Sequence, residues 1–239
     1  MKRRLFIVGA LVGVSLLSAC GPATMAIKPE VRSELRSIAI IRIVEPVNYT
    51  MFNRGSLMLA AGAVGGAVTA AAAERDAKTV GAAMQRSKFA FGQQLTEDLE
   101  RTLKAAGYRT VIVQQTRESP AKLLEDYSRV TAPVDAVLDI AIEAVGYSTE
   151  NWATSPHWRP EAWTHVALYM PKSKEVIYRE KLMYGYHNPF MSATKLDAPS
   201  QFHFQNQDAL LAAGDRILAD GLKDAARAIA AHVGNQLKK

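Results

Sequence analysis

The chain has 239 residues, 49% of them hydrophobic and 22% charged, with a formal net charge of +6 and one cysteine. That length and composition suit one ordinary domain with a real core, and a lone cysteine excludes disulfide frameworks and multi-thiolate metal sites. Lys2, Arg3 and Arg4 supply three of the six excess charges, and the mild remainder is far from the concentrated basic stripe that nucleic-acid binding requires.

Behind those three cations runs an apolar stretch from Leu5 to Leu17, 13 residues long. A membrane-spanning helix needs roughly 20, so the stretch reads as a secretory signal core. It ends in Leu17-Ser18-Ala19-Cys20. Those four residues resemble the lipobox of bacterial lipoproteins, which implies a signal peptide over 1–19 and acylation of Cys20 as the mature N-terminus. In that family an aspartate after the cysteine marks inner-membrane retention. Gly21 stands there, so the resemblance implies the inner leaflet of an outer membrane, facing the periplasm. Several acyl chains anchor stably where one binds marginally. Residues 20–35, with Gly21, Pro22 and Pro29, read as a lipidated tether, and 36–239 as a single α/β domain.

Within that domain, Ser37-Ile38-Ala39-Ile40-Ile41-Arg42-Ile43-Val44 is a β-branched run ended by Glu45-Pro46, a buried strand. Residues 55–73 carry no charge and are almost wholly Gly, Ala and small aliphatics. As a helix they would extend about 28 Å at 1.5 Å per residue. Gly62 and Gly66 form a Gly-x-x-x-Gly pair suited to close helix packing. Close packing on the domain or a neighbouring subunit, a poorly ordered excursion and membrane contact are the three readings of this segment. Phe89, Leu95, Leu99 and Leu103 then continue a helical pattern that stops at Gly107, and Tyr108 to Val113 forms a second strand. Ser119-Pro120 opens a short helix through Leu123, Leu124 and Tyr127.

From Asp135 the period becomes two, and a three-strand antiparallel meander follows over Asp135–Glu143, Trp163–Met170 and Glu175–His187, with Pro171–Lys174 as a tight turn. A last helix spans about Gln207 to Val233. The expected fold is therefore α/β (α+β), a mixed sheet of order β-α-β-α-β-β-β-α with helices packed on it. The strand, the helix ending in Leu103-Lys104-Ala105-Ala106-Gly107-Tyr108 and the strand Val111-Ile112-Val113 resemble the core of several envelope proteins. These are the curli-secretion lipoprotein, the lipoprotein activators of penicillin-binding proteins and the N-terminal domain of the Tol-Pal translocation protein. The likeness is one of topology over about residues 37–187, departs from them in the Gly/Ala segment, and transfers no functional residue.

No motif names a reaction. Gly62-Ala63-Val64-Gly65-Gly66 lacks the Lys-Ser/Thr of a phosphate loop and the Gly-x-Gly of a dinucleotide turn. Asp139 and Glu143 share one side of a strand but stand roughly 13 Å apart, beyond the spacing of paired glycosidase carboxylates; pairing with Arg179 or Lys181 across the strands is the ordinary reading. His157, His165, His187, His203 and His232 show no metal-ligand spacing. No metal or other cofactor is expected. The contact surface is sought in the loop 151–160, where Trp152, His157, Trp158 and Arg159 combine anchor-type side chains with bounding prolines; the alternative is that both tryptophans fold back over the meander. A looser aromatic set, Tyr184, Tyr186, Phe190, Phe202 and Phe204, reads as a long loop packed on the domain.

These features favour a non-enzymatic, lipid-anchored envelope protein acting as an interaction or assembly module, its partner another envelope protein or its own copies. The alternative is an oligomeric secretion-pore component resembling the curli-secretion lipoprotein. A pore asks for amphipathic strands of about 9–11 residues, which residues 55–73 do not offer. An envelope hydrolase has no supporting constellation, and neither a small-molecule substrate nor nucleic acid is indicated.

Overall fold

The structure is a computed structural model that describes residues 24–53, 65–151, 155–185 and 192–239. It is a mixed α/β fold. In chain order it contains α1 (Pro29–Glu34), β1 (Ser37–Ile41), β2 (Thr50–Asn53), α2 (Gly65–Arg86), α3 (Phe91–Ala105), β3 (Arg109–Val113), β4 (Ala136–Asn151), β5 (Ser155–Met170), β6 (Glu175–Tyr184), β7 (Thr194–Leu196), α4 (Gln207–Ala212) and α5 (Asp215–Leu237). The seven strands form one sheet of order β3-β1-β4-β5-β6-β7, with β2 pairing β4 beyond the end of β1.

β1 lies parallel to β3 and β4, while β4, β5 and β6 make the expected antiparallel meander. Its β5–β6 turn is the predicted one, with the Lys174 N–H donating to the Met170 carbonyl at 2.9 Å. The first two strands of the meander are longer than the sequence pattern indicates, at 16 residues each. Prolines at 156 and 160 make the start of β5 read as a loop. Pro160 pairs with Tyr147 but lies past the last β5–β6 pair, Ala162 with Tyr184, so its missing N–H leaves no β6 bond unmade.

One face of the sheet is covered by helices. Ile38, Ile40, Leu138, Ile140, Val166, Leu168 and Leu182 meet Val80 and Met84 of α2, Phe91, Leu95, Leu99 and Leu103 of α3, and Leu222, Ile229 and Val233 of α5 in a single core. α3 and α5 approach so closely that a Cβ at Gly234 would stand 2.1 Å from Thr102 Cγ2. Gly107, at φ 88°, closes α3 as the sequence indicates, with the Tyr108 N–H on the Leu103 carbonyl and the Gly107 N–H on that of Lys104. Gly214, at φ 85°, separates α4 from α5, so the predicted last helix is two.

The opposite face carries no helix between β3 and β4, contrary to the expectation for Ser119–Tyr127. That stretch is turns, because key backbone groups in it bond to the sheet instead of continuing a helical ladder. The Pro120 carbonyl accepts from the Ile142 N–H at 2.8 Å, and the Leu124 N–H donates to Asp139 Oδ2 at 2.7 Å. Its apolar side chains, Tyr127 and Val130, cover Ala39, Ile41 and Val137, and Tyr127 stacks on Tyr169 with centroids 4.6 Å apart.

A second correction concerns the predicted tether. The Met25 N–H donates to the Arg179 carbonyl at 2.7 Å and the Arg179 N–H returns the bond at 3.0 Å. Ile27 and Leu35 are buried in the core, and Arg32 Nη1 donates to the Gln236 carbonyl at 3.1 Å. Residues 25–35 thus pack as part of the folded domain, because two large apolar side chains among them have a core to enter.

Candidate functional site

The buried acids are mostly accounted for by partners that join elements. Asp139 is fully buried and accepts from Arg117 Nη2 at 2.5 Å, the Leu124 N–H at 2.7 Å and the Tyr127 hydroxyl at 3.0 Å. It therefore pins the 114–135 connection to β4, and its cation is Arg117 rather than the Arg179 suggested by strand pairing. Glu180 accepts from Tyr178, Thr194 and His232 Nε2, linking β6 to β7 and to α5. Burial raises its carboxyl, but those donors more than offset that and leave it below its ordinary value. Glu161 accepts from Ser148 at 2.7 Å across β4 and β5, and Asp224 from Tyr184 at 2.6 Å. Such groups are expensive to bury unless saturated, and here saturation fastens one element to the next.

Glu143 sits at a β4 irregularity and meets both His165 Nε2, at 2.9 Å, and Lys181 Nζ, at 2.7 Å. The His165 hydrogen bond does most to bring its carboxyl down to about 2; burial opposes the shift and Lys181 adds to it. Lys181 is the cross-strand partner the sequence indicates, and it also stands 5.3 Å from the Trp163 ring centroid. Among the described residues, no group of three or more His, Cys, Asp and Glu side chains gathers as a metal site.

A wider concavity among the described residues lies elsewhere, at the end of the molecule where β1 and β2 are joined. A groove of about 810 Å³ separates the 45–52 stretch from α2. Val47, Tyr49 and Phe52 form one wall; Ala77, Lys78, Gly81 and Gln85, on one stripe of α2, form the other. Val47 is 80% exposed and presents an aliphatic side chain on the groove's wall. A Cβ built at Gly81 meets nothing within 4 Å, so the small residue keeps the groove wide. Burial, with help from Glu45, raises the Tyr49 hydroxyl to about 12, which keeps it a neutral donor.

Local structure fixes both walls. Glu45 receives the N–H groups of Gly92 and Gln93, at 3.0 and 2.8 Å, and so caps α3 from outside its own segment, where Ala90 offers no side-chain cap. β2 is held against β4 at Gly146, where a Cβ would stand 1.9 Å from the Thr50 carbonyl oxygen. A smaller cavity of about 190 Å³ is lined by Arg117, Lys122 and Arg129 but equally by Glu118, Glu125 and Asp126, and Arg117 is already committed to Asp139.

Among the described residues, the predicted contact residues His157, Trp158 and Arg159 do not gather into one surface. Trp158 is 5% exposed and packs in the main core, bridged through its backbone to Phe204, so it is a core residue and not an exposed anchor. The reason is alternation, since 155–160 belongs to β5 and Trp158 points to the helix-covered side. His157 is exposed, and Arg159 Nη1 donates to the Gly185 carbonyl at 3.3 Å. Gly66 lies in the first turn of α2. Cys20, Gly62, Trp152, Tyr186, His187 and Phe190 lie outside the described residues. Of the looser aromatic set, Tyr184 and Phe202 are buried and Phe204 packs on the core. The groove escaped the sequence reading; its one signal was Val47, an aliphatic directly after Glu45-Pro46 with no periodic partner.

No protein-family model matches the chain, and no curated protein matches it. Among solved structures, a crystal structure of a Xanthomonas campestris protein of the DUF330 family is similar with a TM-score of 0.43 and 9% identity, over 90% of this chain and 91% of that one.

Proposed function

We propose that this chain is a non-enzymatic lipoprotein of the bacterial cell envelope, anchored through acylated Cys20 at the inner leaflet of the outer membrane, and that it works in the periplasm as an interaction or assembly module. The observation that carries the modular role is the apolar groove between Val47–Phe52 and α2. A concave, mostly apolar surface with a few polar groups at its rim fits a short apolar segment of a partner protein. Four acidic side chains, Asp139, Glu161, Glu180 and Asp224, are occupied in fastening elements together. The alternative, an oligomeric secretion pore, asks residues 55–73 for strands, whereas residues 65–73 open helix α2.

The test is photocrosslinking in intact cells from position 47, with position 101 on α3 as an exposed control. A discrete adduct should form from 47 and not from 101. Gly81→Arg should remove that adduct while leaving the melting temperature unchanged, since the new side chain enters open space. An adduct that survives Gly81→Arg places the contact somewhere other than the groove.

A further inference from the structure

Where the chain enters the domain limits how the domain can sit on a membrane. Cys20 is five residues before Met25, and an extended chain spans at most about 3.6 Å per residue, so the anchor lies within about 18 Å of Met25. Met25 pairs with Arg179, which stands in register with Ala167 and through it with Asp139. Asp139 is three residues from the start of β4, about 10 Å above the base of the sheet at 3.3 Å per residue. The anchor therefore reaches the base.

That base is basic. Arg32 donates to the Gln236 carbonyl near the end of α5, the Tyr108 hydroxyl donates to the Leu237 carbonyl at 2.6 Å, and Lys239 Nζ lies 4.8 Å from the Tyr108 ring centroid. Arg36 and Arg109 meet through their backbones, with the Arg109 N–H on the Arg36 carbonyl. With Lys28 and Lys238, six cations surround this end, all exposed except the half-buried Arg32. Three carboxylates accompany them, Glu30, Glu34 and Asp135. Asp135, itself exposed, accepts from the Arg36 and Ser37 N–H groups and the Ser37 hydroxyl, each at 2.8 Å. By side chains the local excess is three, as large as that of the whole chain once Lys2, Arg3 and Arg4 are removed.

We infer that this base, formed by α1, the start of β3 and the end of α5, rests on anionic lipid headgroups and holds the α2 groove at the far end, away from the bilayer. The inference builds on the lipid-anchor reading. Charge within a Debye length of about 8 Å of a negative surface is attracted, and salt removes the attraction.

The test uses the acylated protein in vesicles of phosphatidylcholine alone or with phosphatidylglycerol, containing a headgroup-attached quencher. A fluorophore is placed at Ser33→Cys on α1 or at Val47→Cys at the groove. In the anionic vesicles, position 33 should be quenched at least threefold more than position 47, with the difference collapsing in 0.5 M salt or in phosphatidylcholine alone. Arg36→Glu with Arg109→Glu and Lys238→Glu should abolish it too, with circular dichroism reporting the fold. Equal quenching at both positions, or quenching indifferent to salt and lipid charge, overturns the orientation while the anchor stands. A Cys20 peptide without acyl mass overturns the anchor and the orientation together.

Discussion

Asp139 and Arg117 face each other inside the protein, their side chains 0% and 2% exposed. A buried pair of this kind contributes little net stability against an apolar replacement, but removing one partner strands the other charge at a cost of about 3–5 kcal/mol. Asp139→Ala should therefore lower unfolding free energy by at least about 3 kcal/mol, read as a shift of the urea midpoint, because it also frees the Leu124 N–H and the Tyr127 hydroxyl. Arg117→Met with Asp139→Leu should recover part of that loss. Glu143 provides the pH counterpart. The His165 hydrogen bond holds its carboxyl down at about 2 in the fold, against an ordinary value of 4.5. Between those values the unfolded chain binds the proton and the folded one does not, so this contribution is complete above about pH 4.5 and is lost as pH falls toward 2. The side chain is 36% exposed, which keeps the effect small. Glu143→Gln should flatten that part of the acid limb, measured by urea unfolding at pH 7, 4 and 3, and an unchanged slope would contradict the assignment.

At the scale of elements, legibility followed the strength of the local pattern. β1, β3 and the meander could be read because their apolar residues alternate or run unbroken, and α3 because Leu95, Leu99 and Leu103 repeat at four residues before a glycine that only a helix end requires. The connection Ser119–Tyr127 misled because Leu123, Leu124 and Tyr127 are spaced as on a helix, yet a single carboxylate 15 residues away, Asp139 on β4, takes the Leu124 N–H. Such long-range capture of a backbone donor leaves no periodic trace. Short elements were hidden for a related reason. β2 and β7 are four and three residues long, too brief for a period to show, and each exists because a longer strand offers it a partner. The groove inherits this difficulty, since one wall is β2 and the turn before it. Glu45, which sets that wall by capping α3, looked in the sequence like a simple strand stop.

The whole molecule shows the same dependence on distant contacts at its N-terminal end. Residues 25–35 look like a tether by composition, but they run from the edge of β6, beneath the end of α5, to the start of β1. Ile27 is 8% exposed and Leu35 2%, and burying an aliphatic side chain of that size is worth about 1.5–3 kcal/mol. Two of them, together with the paired backbone bonds of Met25 and Arg179, are a large share of the roughly 5–15 kcal/mol that holds a domain folded. A tether could be cut without consequence, whereas a wrapped segment should not be. A chain beginning at Ser37 should therefore melt on the order of 10 °C below one beginning at Gly21, since about 1 kcal/mol moves the midpoint of a domain this size by roughly 2–4 °C. Differential scanning calorimetry of the two chains decides it. Equal melting temperatures would return residues 25–35 to the role of a tether and would free the base of the domain from the short reach that places it at the membrane.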